Sequence, residues 1–325
     1  MSAERPFRFA VQAFSARSAA EWREQARRAE DLGYSALHLA DHFLGPGPAL
    51  EATRHPLQEL AAVPAMAVAA EVTRRIRIGC RVFCVDYRHP VMLAKEAATL
   101  DLLSEGRLEL GLGAGWLRGE YEAAGIGFDP APERIARLSE VVSAVKAFCT
   151  GEPLEIDGPN VRWSGFAGAP RPVQQPHPPL MIGGGSRRVL ELAAREAQVV
   201  SLNFNNRSGE IGADGVRSGT EEATARKLDW IRAAAGERYP DLELEIGAYF
   251  TFVSEGAETI AAGMAGAFGL TTEEMLRHPH ALFGPPAAIC EELERRREAT
   301  DISYVTVAAD AAEAFAPVVK ELAGR

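Results

Sequence analysis

The sequence has few of the features that mark exported, metal-binding or membrane proteins. Only four of its 325 residues are cysteine, and Cys80, Cys84, Cys149 and Cys290 show neither the spacing of paired metal ligands nor a disulfide framework. No apolar run approaches the roughly 20 residues that span a membrane, and no basic segment followed by an apolar one opens the chain. We therefore expect a cytoplasmic protein with buried thiols and no bound metal.

Positive charge is also in deficit. The chain has 45 acidic and 35 basic residues, so its formal net charge is −10, which disfavours nucleic acid and anionic membranes as partners. The apolar fraction of 47% and the charged fraction of 25% are ordinary for a globular protein. A small-molecule substrate is the partner that this composition favours.

Strand and helix patterns alternate along the whole chain. Each short apolar run typical of a buried strand is followed by a helical pattern. The predicted strands cover residues 7–14, 36–43, 76–83, 108–112, 180–182, 199–202, 244–253 and 304–308. Eight such pairs predict one α/β domain over residues 1–325, a (β/α)8 TIM barrel with its functional groups at the carboxyl ends of the strands.

Four turn-rich segments interrupt this alternation, at residues 45–56, 151–179, 203–219 and 266–286. Long loops in compact domains are usually functional, so we expect insertions and lids at the carboxyl face of the barrel. Within residues 151–179, the turn signal at 157–160 predicts a hairpin that serves as a flap.

Two glycine-rich strand ends are candidate cofactor sites. Gly111, Gly113 and Gly115 leave one face of a strand end without side chains, which suits either a flat ring or close packing. The second motif follows the fifth predicted strand and begins a helix, where free N–H groups attract an anion. Its residues are Gly183, Gly184, Gly185 and Ser186. It predicts a phosphate site, with a simple tight turn as the alternative.

Asp41 and His42 end the second predicted strand. Strand alternation would place them on opposite faces, at the end where barrel enzymes carry catalytic groups. A histidine side chain exchanges protons near neutral pH, so His42 is the candidate catalytic residue, with a structural role as the alternative. Arg81 lies in the apolar third strand and must meet water, an acid or a bound anion.

These motifs together resemble the luciferase-like monooxygenase superfamily, in particular its branch of oxidoreductases that use the deazaflavin coenzyme F420. The resemblance covers nearly the whole chain. It is carried by residues 19–33 leading into 41–43, by 88–90 with 94–101, and by 111–116, 171–174, 183–186, 276–284 and 302–307.

The resemblance implies a barrel that binds the coenzyme ring at its carboxyl face, and commonly a homodimer. It places Asp41 and His42 beside the ring, with His42 as proton donor or acceptor and Asp41 in contact with the coenzyme. It also implies a non-prolyl cis peptide behind the ring, which maps to Cys80 and Arg81. Trp116 stands where some sugar-phosphate dehydrogenases of the family carry glutamate, which argues against that activity.

The function expected from this resemblance is hydride transfer between coenzyme F420 and a small organic substrate. One alternative is a two-component monooxygenase that uses reduced flavin mononucleotide (FMN), and another is a non-catalytic deazaflavin-binding protein. Four arginines are expected near the phosphate site and would favour the polyanionic tail of F420 over FMN. They are Arg162, Arg171, Arg187 and Arg188.

Overall fold

Eight parallel strands close into a barrel in the computed structural model, which describes residues 5–325. In chain order the strands are β1 Arg8–Ala13, β2 Ala36–Leu39, β3 Arg77–Cys84, β4 Leu108–Gly113, β5 Pro153–Asp157, β6 Arg162–Ala167, β7 Leu180–Gly184, β8 Val199–Leu202, β9 Glu243–Ala248, β10 Phe250–Val253, β11 Ala281–Gly284 and β12 Ile302–Ala308. Around the barrel the order is β1, β12, β9, β8, β7, β4, β3 and β2. The predicted (β/α)8 TIM barrel is confirmed.

Helices connect the barrel strands. They are α1 Ala19–Asp31, α2 Pro48–Thr53, α3 Ala62–Val72, α4 Pro90–Leu103, α5 Arg118–Ala124, α6 Ala131–Thr150, α7 Arg187–Glu196, α8 Ala213–Arg217, α9 Glu221–Ala235, α10 Ala257–Phe268, α11 Thr272–Leu276, α12 Pro286–Thr300 and α13 Ala312–Leu322. Ser18 caps α1 by accepting a hydrogen bond from the Glu21 N–H at 3.1 Å, and Gly33 follows its end at a φ of +86°.

Two predicted strands are shorter than the sequence suggested. Strand β2 ends at Leu39, so Asp41 and His42 lie in the following loop and the expected strand alternation does not apply to them. The run predicted at 244–253 divides into β9, which belongs to the barrel, and β10, which pairs with β11 outside it. An apolar run by itself does not show where a strand leaves one sheet for another.

Residues 151–179 form an antiparallel hairpin of β5 and β6, but the hairpin lies against α6. The Trp163 ring packs 6.3 Å from that of Phe148, and the Asn160 N–H donates to Glu140 at 2.8 Å. Gln174 binds Asp101 and the Leu108 carbonyl, beside the beginning of β4. The segment therefore does not cover the carboxyl face, and its expected role as a flap is wrong.

The barrel interior is polar at the beginnings of the strands. The buried Glu109 carboxylate pairs with Arg8, lies 3.2 Å from His38 Nε2 and accepts from the Tyr304 hydroxyl at 2.8 Å. Arg8 also pairs with Glu243 at 2.5 Å. These side chains fill the amino end of the interior, so the space for a ligand lies toward the carboxyl ends of the strands.

No helix within residues 5–325 is both long and apolar enough to cross a membrane.

Candidate active site

A cavity of about 1460 Å³ lies at the carboxyl ends of the barrel strands. Its wall includes the loop after β2, the end of β4, the turn between β7 and α7, and the segment after β8. Of the predicted site residues, the lining includes Asp41, His42, Arg81, Gly113, Gly115, Gly183, Gly184, Gly185 and Ser186. Cys80 does not line it.

His42 is held by a buried carboxylate. Its Nδ1 lies 2.7 Å from Oε2 of Glu120, and the same oxygen accepts from the Tyr87 hydroxyl at 2.9 Å. The other oxygen, Oε1, accepts from the Phe43 N–H at 2.7 Å. Burial would raise the pKa of the Glu120 carboxyl, but the hydrogen bonds from His42, Phe43 and Tyr87 hold it below its ordinary value. An ionised carboxylate only accepts, so Nδ1 of His42 carries the hydrogen.

The opposite nitrogen of His42, Nε2, has no hydrogen-bond partner among the described residues and remains accessible. Sequence reasoning missed Glu120, because it lies on the short helix α5, 78 residues further along the chain. The available sequence signal was an acidic residue close to Leu117 and Tyr121, two large residues that the structure buries.

Two aromatic rings from separate loops complete the surroundings of His42. The His55 ring lies with its centroid 3.9 Å from that of His42, and the Trp116 ring lies 6.0 Å from both. His55 comes from the loop between α2 and α3, within the 45–56 segment that was expected to form an insertion at the carboxyl face.

Asp41 is engaged by protein groups. Its carboxylate accepts hydrogen bonds from Nη1 and Nη2 of Arg88, each at 2.8 Å, and from the Cys84 N–H at 2.9 Å. Asp41 therefore fastens the end of β3 and the loop after it. Coenzyme contact by its carboxylate remains a prediction, and in this geometry it would require sharing those hydrogen bonds.

The non-prolyl cis peptide joins Arg81 to Val82, one residue later than predicted. The pairing register of β3 with β4 shifts between Cys80 and Phe83, and counting back from Pro90 did not account for this bulge. Cys80 is only 1% exposed, and burial raises the pKa of its thiol. The Cys80 side chain therefore does not reach the cavity, and a cofactor contact by Cys80 stays a prediction.

Val82 explains the glycines at the end of β4. A Cβ atom at Gly113 would lie 2.6 Å from Cγ2 of Val82, and one at Gly111 would lie 2.0 Å from the Cys80 carbonyl oxygen. At Gly183 the Cβ would lie 3.1 Å from Cγ1 of Val82. The glycines thus make room for a bulge that presents Val82 to the cavity. Gly115, at a φ of +70°, makes room in the same way for the Tyr121 hydroxyl.

Arg81 meets a partner acid. Its guanidinium donates to Glu245 and to Asn203 Oδ1, both at 2.9 Å, and reaches the Tyr249 hydroxyl at 3.2 Å. Gln12 binds the same group at 3.3 Å and donates to the Arg81 carbonyl. These contacts provide the buried guanidinium with an acidic partner and hydrogen-bond acceptors, and they hold the bulge at residues 81 and 82 in place.

The second glycine motif forms the turn that begins α7. A Cβ at Gly184 would lie 2.4 Å from Val189, and one at Gly185 would lie 2.3 Å from the Phe204 carbonyl oxygen, so both positions need glycine for packing. Ser186 is the N-cap residue, but its side chain makes no capping hydrogen bond. The first-turn N–H groups of α7 therefore remain available to an anion at the cavity wall.

Arginines surround this turn, but not all of the predicted ones. Arg187, Arg188 and Arg207 line the cavity, and among the described residues neither Arg188 nor Arg207 forms an ion pair. Arg162 and Arg171 do not line it: Arg162 pairs with Asp157 on the hairpin, and Arg171 packs beside Gly151. Their expected place near the phosphate site is wrong.

An aromatic wall completes the cavity, and no sequence motif indicated it. It comes from the segment after β8, from the region around β10 and from the end of α10. Its members are Phe204, Tyr249, Phe250 and Phe268. The Phe204 and Tyr249 rings lie 5.1 Å apart.

Comparison with known proteins gives this geometry a family. The family model described as luciferase-like monooxygenase matches residues 6–303. The chain belongs to the luciferase-like monooxygenase family. A solved structure of a coenzyme F420 dependent tetrahydromethanopterin reductase from Methanopyrus kandleri superposes with a TM-score of 0.76 at 18% identity, covering 98% of this chain and 99% of that one. At that identity the likeness shows the fold.

The curated relatives include both FMNH2-dependent and F420-dependent enzymes. The chain is 32% identical over 120 residues to an FMNH2-dependent dimethylsulfone monooxygenase of Pseudomonas putida, covering 37% of this chain and 33% of that protein. It is 33% identical over 163 residues to an F420-dependent glucose-6-phosphate dehydrogenase of Amycolatopsis mediterranei, covering 50% and 47%. The matches thus span less than half of either relative. A flavin or deazaflavin cofactor fits this family, and these relatives do not decide between the two.

Proposed function

We propose that this luciferase-like protein is an oxidoreductase that transfers a hydride between coenzyme F420 and a small organic substrate. The observation that carries the proposal is the His42 imidazole, which Glu120 fixes through Nδ1 while Nε2 faces a large cavity. A histidine oriented by a carboxylate is a suitable group for donating or accepting a proton.

The cavity walls fit a coenzyme with a flat ring and a phosphate. The Val82 bulge offers an apolar surface for one face of the ring, backed by glycines that would clash if they carried a Cβ. The turn formed by Gly183, Gly184, Gly185 and Ser186 offers backbone N–H groups at the start of α7 for the phosphate. A cavity of about 1460 Å³ exceeds a typical small-ligand pocket and has room for coenzyme and substrate together.

The bound coenzyme supplies or accepts the hydride. In the reducing direction His42 donates its Nε2 proton to the substrate atom that becomes negative, while Glu120 stabilises the imidazolium from which that proton leaves. In the oxidising direction Nε2 accepts the proton. Tyr87 and the Phe43 N–H hold the Glu120 carboxylate in place throughout.

The arginines that line the cavity beside the start of α7 favour F420 over FMN. Arg188 and Arg207 line the cavity with no acidic partner among residues 5–325, and F420 carries a polyanionic tail that FMN lacks. Unpaired guanidinium groups suit such an anion.

Titration of the purified protein with F420 and with FMN at matched ionic strength tests the proposal. We expect F420 to bind more tightly, with a preference that declines as salt is added. Tighter binding of FMN would contradict the proposal and support the flavin monooxygenase alternative. Tight F420 binding without turnover across carbonyl, imine and activated alkene substrates would instead support a non-catalytic coenzyme-binding protein.

A further inference from the structure

His42 has a second imidazole lying against it. The ring centroids of His42 and His55 are 3.9 Å apart with 44° between the ring planes. The two residues come from different parts of the β2–α3 connection, and both line the cavity. Two imidazolium cations at this distance would repel each other strongly. The pair therefore favours states in which at most one of the two rings is protonated and carries a positive charge.

Hydrogen bonds decide which ring receives that proton. His42 faces the ionised Glu120 at 2.7 Å, which favours a charged His42. His55 Nδ1 lies 2.7 Å from the Pro56 carbonyl oxygen, which requires a hydrogen on Nδ1 and leaves Nε2 as an acceptor in the neutral ring. Burial, together with the charge of the neighbouring His42, lowers the pKa of His55 to about 3.

The groups around His42 act in opposite directions on the stability of its protonated, positively charged form. The Glu120 carboxylate, which also binds Tyr87, stabilises the imidazolium from the Nδ1 side. The His55 ring covers one face of the imidazole and the Trp116 ring approaches edge-on at 6.0 Å, and both exclude water that would otherwise solvate the charge. A His42 that Glu120 held permanently charged could donate a proton but could not accept one.

We propose that His55 is a positioning residue for His42: its uncharged ring covers the His42 imidazole, so that His42 exchanges its proton reversibly despite the adjacent Glu120 carboxylate. This inference rests on the proposed function, because it concerns the proton that His42 would transfer in the proposed reaction. The test needs neither coenzyme nor substrate, so an error in the coenzyme assignment would leave its result unchanged.

The test is a pH titration of histidine-labelled protein by NMR. The chain has seven histidines, and the His42→Gln and His55→Phe variants assign the two signals. We expect nitrogen shifts that show His55 neutral, with hydrogen on Nδ1, over the whole range in which His42 gains its proton. In His55→Ala water reaches the exposed ring face, so the midpoint of the His42 titration moves upward by about one pH unit. In His55→Phe the face stays covered and the midpoint stays in place.

His177 provides a matched control. Its Nδ1 lies 2.8 Å from the Pro178 carbonyl oxygen, in the same local geometry as His55, but it lies in the 151–179 segment away from the cavity. His177→Ala leaves the His42 midpoint unchanged. His55→Ser serves in place of His55→Ala if that variant does not fold. An unchanged midpoint in the small variant, an equal shift in His55→Phe, or protonation of His55 before His42 would each overturn the proposal.

Discussion

Nδ1 of His42 and Oε2 of Glu120 lie 2.7 Å apart, although 78 residues separate them in the chain. The loop after β2 supplies the imidazole and helix α5, after β4, supplies the carboxylate. Their meeting depends on strand pairing, because β3 pairs with both β2 and β4 and so brings the ends of the three strands side by side. The two side chains therefore act as one unit whose parts can be removed separately.

Replacing His42 with glutamine removes the proton-transfer group and keeps a polar side chain of similar size. We expect turnover with a competent substrate to fall by about 10²–10⁴-fold, since this is the usual contribution of general acid–base catalysis, while F420 affinity stays nearly constant. Steady-state kinetics and a coenzyme fluorescence titration measure the two quantities. A loss of affinity in step with turnover would assign His42 to binding instead.

Replacing Glu120 with glutamine leaves His42 without a negative partner. Turnover is expected to fall by about 10²-fold with unchanged coenzyme affinity, because the imidazolium loses its stabilising charge. Glu122→Gln, an exposed position on the same helix, is the control and keeps full activity. Equal rates in Glu120→Gln and the wild type would show that the carboxylate only supports the loop.

Substitutions of Arg188 and Arg162 distinguish a specific contact with the coenzyme tail from a general effect of positive charge on coenzyme affinity. If the coenzyme tail binds near the start of α7, Arg188→Gln weakens F420 binding by about tenfold, since a hydrogen bond to a charged group contributes about 1.5–3 kcal/mol. Arg162 lies on the distant hairpin and pairs with Asp157, so Arg162→Gln has no effect. Titrations at two salt concentrations measure both variants. Equal losses would indicate a general charge effect.

The close contact between Gly113 and Val82 predicts that a larger residue at position 113 destabilises the fold, and that a smaller residue at position 82 partly restores its stability. Gly113→Ala brings a Cβ to 2.6 Å from Val82 Cγ2, and overpacking of this kind lowers the free energy of unfolding by about 1–3 kcal/mol. The double variant Gly113→Ala with Val82→Ala removes the clash and recovers part of that loss. Urea unfolding of the wild type, both single variants and the double variant gives the coupling. Strict additivity of the two changes would contradict the packing explanation.

The Glu109 cluster predicts how stability depends on pH. Burial would raise the pKa of Glu109, but the charge of Arg8 and the hydrogen bond from His38 hold it well below the usual range. Its pKa is therefore lower in the folded protein, so its contribution is fully present at neutral pH, declines as the pH falls below the ordinary carboxyl pKa of about 4.3, and is lost completely only below the folded-state pKa. Glu109→Gln lowers the unfolding free energy at pH 7 by about 3 kcal/mol, and by a smaller amount at pH 3, where the carboxyl is protonated in the unfolded chain but still ionised in the folded one.

Chemical unfolding of Glu109→Gln at the two pH values measures this difference. Glu24→Gln, at an exposed position on α1, is the control. An equal loss at both pH values would show that Glu109 contributes by shape and not by charge.

The sequence predicted the barrel because the signal is local and repeated. A parallel strand buried on both faces is a short apolar run, and each of the eight strands contains one. Glu120, His55 and the aromatic wall depend on which loops meet above the barrel, and no local pattern carries that information. The glycines lie at the strand ends where the sequence placed them, but their contact with Val82 became evident only when β3, β4 and β7 were side by side.

The amino end of the barrel interior is filled by the paired charges around Glu109. A coenzyme and a substrate that share the space above it must then use the same entrance. The molecule that binds deeper has to arrive first and leave last. For the proposed oxidoreductase, the order of binding would then follow from how the barrel is filled, far from the reacting groups, and steady-state kinetics would show it as an ordered sequential mechanism.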